Sequence, residues 1–146
     1  LLPYFEGERT PNRPHATGVF DGMNISNSNQ TDIARAMIEG MLAGLADAVD
    51  ALVALGVNVN LILLIGGAAK NPAIAPIASA LFGREVLLPP PGEYVANGAA
   101  KQAAWALLGG ATAPTWDLGE ISRHTAKPTP HVMEKYRSLK ARTENW

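Results

Sequence analysis

The residues best arranged for chemistry lie in LILLIGGAAKNP, residues 61–72, where five apolar side chains run into paired glycines and a helix start follows within a few positions. Gly66 and Gly67 lack a Cβ, so a ligand can approach the main chain closely there. A helix start at Asn71 offers unpaired amides and the positive end of a dipole to an anion or a polar ring. This is binding chemistry, not acid–base chemistry. The spacing is not that of a phosphate-cradling P-loop, since no Gly-Lys-Ser/Thr follows, and it is not Gly-x-Gly-x-x-Gly. On the local pattern alone, two glycines serve equally well as a tight strand-to-helix turn. Asn71 could equally cap the helix that Pro72 begins, which would leave only its side-chain NH₂ for a ligand.

The other polar residues carry weaker signals. Arg9, among prolines and charges, suits a surface anchor or an interdomain clamp better than a substrate ligand. Glu6 and Glu8 read as solvated. Asp21 and Glu39 resemble an acid/base pair only superficially. Asp21 lies in a strand pattern, and Glu39 follows Arg35 by four positions, a routine pairing on one helix face. His15, His124 and His131 are too far apart for a local metal motif, and the chain has no cysteine, which excludes thiolate sites and disulfides. No catalytic residue and no metal ligand is therefore nominated.

The elements that must hold the diglycine turn follow from periodicity. Residues 31–55 carry apolar side chains at Ala34, Met37, Ile38, Met41, Leu45, Ala48, Val49 and Leu52, with Thr31 placed to cap the first turn and Gly56 at the end, which predicts a long helix. Residues 61–65 are uninterruptedly apolar and too short for a helix, which predicts a central parallel strand buried on both faces. A second helix is expected over 71–82, closed by Gly83. A short strand follows at 85–88, ended by three prolines, and an alanine-rich helix at 95–108, ended by Gly109 and Gly110. Gly98, Ala99, Ala100, Ala103 and Ala104 make a small-residue face on that helix that would let a neighbour pack closely, with Trp105 in the core or at its rim. Upstream, residues 1–17 are broken by Pro3, Pro11 and Pro14 into a loop, and 18–23 alternate as a short strand. Beyond Ala111 an extended segment and a helix at 131–140 form a tail that packs elsewhere on the molecule. Strand and helix alternation through the middle implies an α/β layer.

The length of 146 residues, 47% apolar and 17% charged, is that of one globular domain. Twelve basic against thirteen acidic residues give no electrostatic footprint for nucleic acid or an anionic membrane. The longest nearly apolar run, 61–69, falls short of the roughly 20 residues that cross a bilayer. These features fit a cytoplasmic protein that handles small molecules. The start at Leu1, entering at once into dense turns, reads as an internal cut in a longer protein.

Several blocks together resemble a known family. PYFEGERTPNRP, then GVFDGM with DIARAMIE after it, LLIGGAAKNP, and EYVANGAAKQAAW are similar to successive blocks of the C-terminal domain of the FGGY carbohydrate kinases, most of all the xylulokinase branch, which GERTP favours. Gly18, Phe20, Gly22 and Met23, an eight-residue gap, then Asp32, Ile33, Ala36, Met37, Ile38 and Glu39 fit the second signature of that family. The resemblance covers the chain to about Gly110, thins through the tail and returns faintly over 136–142. It implies an α/β ribonuclease H-like, actin-like ATPase fold with a mixed sheet flanked by helices. Residues 1–110 would be the nucleotide-binding half of the C-terminal domain and 111–146 a tail with a terminal helix. It also implies ATP, Mg²⁺ held mainly by residues elsewhere, and D-xylulose as the phosphoryl acceptor. The general base, the phosphate loop and the main sugar contacts would lie upstream, in the missing N-terminal part of the protein. What carries over to this chain is Gly66, Gly67 and Ala68 against the nucleotide and Asn71 near the adenine, so the chain alone should be inactive. Other members of the family, acting on glycerol, gluconate, ribulose or fuculose, remain open on this reading, as do a noncatalytic anion-binding module and homodimerisation.

Overall fold

The computed structural model describes residues 1–145. Helix α1 spans Gln30–Ala54. Its cap is Asn29, not Thr31: the Asn29 side chain accepts the Asp32 N–H at 3.0 Å, an arrangement reinforced by a carboxylate in the first turn. Only half of its broad apolar arc is covered. Leu42, Ala43 and Ala46 are buried, whereas Met37, Met41, Leu45 and Leu52 face outward.

Helix α2, Ile74–Phe82, is the centre of the core and is buried along nearly its whole length. It stops at Gly83, whose φ of 61° is a left-handed conformation that glycine adopts without strain. The helix begins three residues later than the Asn-Pro pair predicts. A 3₁₀ turn, Ala68–Lys70, intervenes, and the Asn71 side chain accepts the Ala73 N–H at 3.0 Å, before the helix proper.

Strand β1, Val86–Leu88, lies between two partners. On one side it pairs antiparallel with β2, Ser122–His124, with Leu88 opposite Ser122. On the other side residues 62–64 run parallel to it: Leu64 N–H donates to Leu87 at 2.9 Å and Leu87 N–H donates to Ile62 at 2.9 Å. The sheet is therefore mixed. The expectation that 61–65 is a central strand buried on both faces is not met within this chain. The segment makes a single bridge at the edge, its Ile62 and Leu64 pack on the core, and Leu61, Leu63 and Ile65 are 56%, 39% and 49% exposed. Successive side chains of an extended segment point to opposite faces, so the elements present cover one face and leave the other open.

Residues 18–23 do not form a strand either. Val19 alone bridges Leu2, through reciprocal hydrogen bonds of 2.9 and 3.0 Å, before the positive φ of Gly22 (75°) turns the chain into a polar loop. Helix α3, Tyr94–Leu108, forms nearly where periodicity places it, yet none of its residues is buried. Along its small-residue face Gly98, Ala99, Ala100 and Ala103 are exposed, and among the described residues nothing lies within 4 Å of a Cβ on Gly98. Trp105 is 40% exposed, outside the core, and its indole N–H donates to the Gly110 carbonyl at 2.6 Å.

The tail closes the structure. Helix α4, Pro130–Arg142, inserts Met133, Tyr136 and Leu139 among Leu2, Tyr4, Leu42 and Ile77. Burial first, and the neighbouring Tyr4 hydroxyl second, push the Tyr136 phenol above its ordinary range, so it stays protonated. Lys140 pairs with Asp47, and Arg137 with Asp47 and Asp50, along the α1–α4 seam. The Arg13 guanidinium reaches from the proline-rich loop to the end of α4, where two of its nitrogens each donate to the Lys140 carbonyl at 3.1 Å. A carbonyl in the last turn of a helix lacks its usual N–H partner, so Arg13, together with the Thr143 hydroxyl at 3.3 Å, supplies donors to it. Arg13→Ala is expected to cost the full-length protein about 1.5–3 kcal/mol in denaturant unfolding, and Arg13→Lys should recover only part, because an ammonium cannot reproduce the planar fork.

Candidate functional site

Two parallel rows of backbone, residues 62–64 and β1, run in the same direction and end at the same side of the sheet. Gly66 follows the first and Pro89 the second. The crevice beyond the carboxyl ends of adjacent parallel strands is where open α/β sheets receive ligands, because helix starts and loop amides converge there. Here it contains a cavity of about 170 Å³ walled by Gly66, Lys70, Leu88, Pro90, Tyr94 and Ser122, among others. The Tyr94 hydroxyl donates to the Pro90 carbonyl at 2.5 Å, which fixes the ring against the proline loop.

The two glycines differ in kind. Gly66 has φ 99°, a conformation that side chains disfavour, whereas Gly67 is right-handed helical (φ −62°, ψ −41°). A Cβ at either position would meet no atom of the described residues within 4 Å. Local geometry thus accounts for glycine at 66, while nothing among the described residues requires it at 67. Ala68 opens the 3₁₀ turn and its carbonyl accepts the Asn71 N–H at 3.0 Å. Asn71 is exposed and spends its side-chain oxygen on Ala73, leaving the NH₂ free to donate. Of the residues nominated from sequence, Gly66 forms part of the cavity wall. Gly67, Ala68 and Asn71 lie exposed on the adjoining turn, outside the lining. Sequence reasoning missed Tyr94 and the wall contributed by Glu120 and Ser122. The three prolines at 89–91 were legible as a strand stop but not as a binding wall.

The remaining polar candidates have local duties. Glu8 accepts the N–H groups of Arg9 and Thr10 within its own turn. Asp21 pairs with Arg142 at 2.6 Å and Glu39 with Arg35 at 2.6 Å, so they hold separate partners and do not act as an acid/base couple. Among the described residues no three His, Asp or Glu side chains gather as a metal site.

Residues 1–107 match the profile of the FGGY family of carbohydrate kinases, C-terminal domain. The chain is 37% identical over 110 residues to the xylulose kinase of Streptomyces coelicolor, covering 75% of this chain and 23% of that protein. It is 36% identical over 121 residues to that of Streptomyces rubiginosus, covering 80% and 25%. The crystal structure of xylulose kinase from Bifidobacterium adolescentis superposes with a TM-score of 0.79 at 45% identity, covering 95% of this chain and 28% of that one. The chain thus spans about a quarter of the length of these relatives. The fold is that of the actin-like sugar kinases, represented in part. With more than two thirds of its residues inside the family profile, and most of the crevice lining drawn from that stretch, the chain belongs to the FGGY family of carbohydrate kinases, as part of the C-terminal domain.

Proposed function

We propose that the chain is the adenosine side of the ATP site in a kinase that converts D-xylulose to D-xylulose 5-phosphate in the cytoplasm. Residues 1–110 form the nucleotide-binding half of its C-terminal domain and 111–146 its tail. The observation that carries this reading is the diglycine turn, open on its ligand side, at the carboxyl ends of two parallel rows. The sugar assignment rests on the relatives, which are xylulose kinases. Gly66 and Gly67 let the nucleotide lie against the main chain, Ala68 adds a small neighbouring surface, and the free NH₂ of Asn71 donates to a ring nitrogen of the adenine. Mg²⁺ travels on the phosphates and neutralises their charge. Among the described residues no cluster of carboxylates or histidines offers it ligands, and on this reading the residues that would orient it belong to the rest of the protein.

Phosphoryl transfer depends on positioning and electrostatic stabilisation, and this chain's part is to hold the nucleoside while other parts present sugar and base. In a coupled assay the full-length protein is expected to consume ATP with D-xylulose in preference to glycerol, gluconate, ribulose or fuculose. The isolated chain is expected to show no turnover. Preference for another sugar would reassign the substrate. Turnover by the isolated chain, abolished by a substitution within it, would overturn the division of labour.

A further inference from the structure

The crevice has a third wall that comes from the tail, beyond the residues matched by the family profile. Strand β2 exists only as a partner of β1, and its register sets Ser122 opposite Leu88, where the Ser122 hydroxyl donates to the Leu88 carbonyl at 3.2 Å. Just before it, Gly119 N–H donates to the Asp117 carboxylate at 2.8 Å, which fixes the approach of the chain. A Cβ on Gly119, whose φ is 76°, would stand 3.2 Å from Pro90 Cγ, so the tail lies against the proline loop more closely than a larger residue would permit. These contacts hold Glu120 at the cavity, whose wall also includes Lys70 of the 3₁₀ turn. Among the described residues neither side chain has an ion-pair partner within 4 Å, and Glu120 makes no side-chain hydrogen bond.

Resting on the nucleotide reading of the crevice, we infer that Glu120 is a specificity-determining residue that accepts the two hydroxyl hydrogens of the ribose. A carboxylate offers acceptors only, so it suits a pair of adjacent donors. Within a nucleoside triphosphate the phosphates repel it. The adenine edge sets ring acceptors beside its one amino group, so half of a carboxylate would face a lone pair. The 2′,3′-diol alone presents two neighbouring O–H donors. Lys70, an ammonium that lines the same cavity, suits an anionic group of the same molecule.

The test uses the full-length protein, with ATP and 2′,3′-dideoxy-ATP as the two nucleotides. Glu120→Ala is expected to raise KM for ATP about tenfold, the scale of losing hydrogen bonds to a charged group. It should leave KM for the sugar unchanged and leave KM for 2′,3′-dideoxy-ATP where the parent has it. Glu120→Gln, which keeps one acceptor, should fall between. An unchanged KM for ATP in both variants, or an equal loss with both nucleotides, would overturn the inference. Gly67→Val separates the two levels. If it weakens ATP binding while the Glu120 variants do not, the ribose assignment alone fails. If it too leaves ATP binding intact, the nucleotide reading fails with it.

Discussion

Gly66→Val is expected to cost the full-length protein about 3 kcal/mol of domain stability, the upper part of the range for a residue held in a sparsely populated backbone region. At φ 99° a valine Cβ is disfavoured by its own backbone, and β-branching removes the rotamers that would relieve it. The cost is conformational, since the added atom would meet nothing of the described residues within 4 Å. A shift of the denaturant midpoint with an unchanged slope would register it. Gly66→Ala should lose less, but still measurably. A Gly66→Val protein as stable as its parent would mean that the turn relaxes readily to negative φ, and the crevice wall would then not be rigidly preset.

The helices were largely legible because each carries its own signal. Apolar spacing marks α1, α2 and α4, and Gly83 and Gly109 stop α2 and α3 in left-handed conformations of 61° and 64°. Their first residues were less legible. Asn29 and Thr31 are both acceptable caps, and the choice between them was settled by the side-chain acceptor that met the Asp32 N–H. The strands were poorly legible because a ladder is a property of two segments. Ser122–His124 has no apolar alternation and becomes a strand only through β1, 34 residues away at Leu88 and Ser122. For that reason Glu120 could not be read as part of the cavity wall, while Gly66, which carries its signal in its own residue type, could be singled out. The outward faces of 61–65 and α3 are a different matter. Apolar runs and small-residue faces signal a need for cover but not its source, and among the described residues Leu61, Leu63 and Ile65 stay exposed and α3 has no buried residue.

Gly67→Val tests the central claim most directly, because folding and binding separate at this position. With φ −62° and ψ −41°, valine incurs no left-handed strain, and none of the described residues lies within 4 Å of the new Cβ, so the variant should unfold with its parent. A nucleotide lying against the main chain would meet the two added methyls, and Gly67→Ala, with one carbon, should be affected less. The decisive measurement is the Kd for ATP of full-length Gly67→Val beside its thermal unfolding. The account predicts a Kd raised about tenfold or more, equivalent to at least about 1.4 kcal/mol, at unchanged Tm. A folded Gly67→Val that binds ATP as tightly as the parent would contradict it, and the paired glycines would then be no more than the link between an extended segment and a helix.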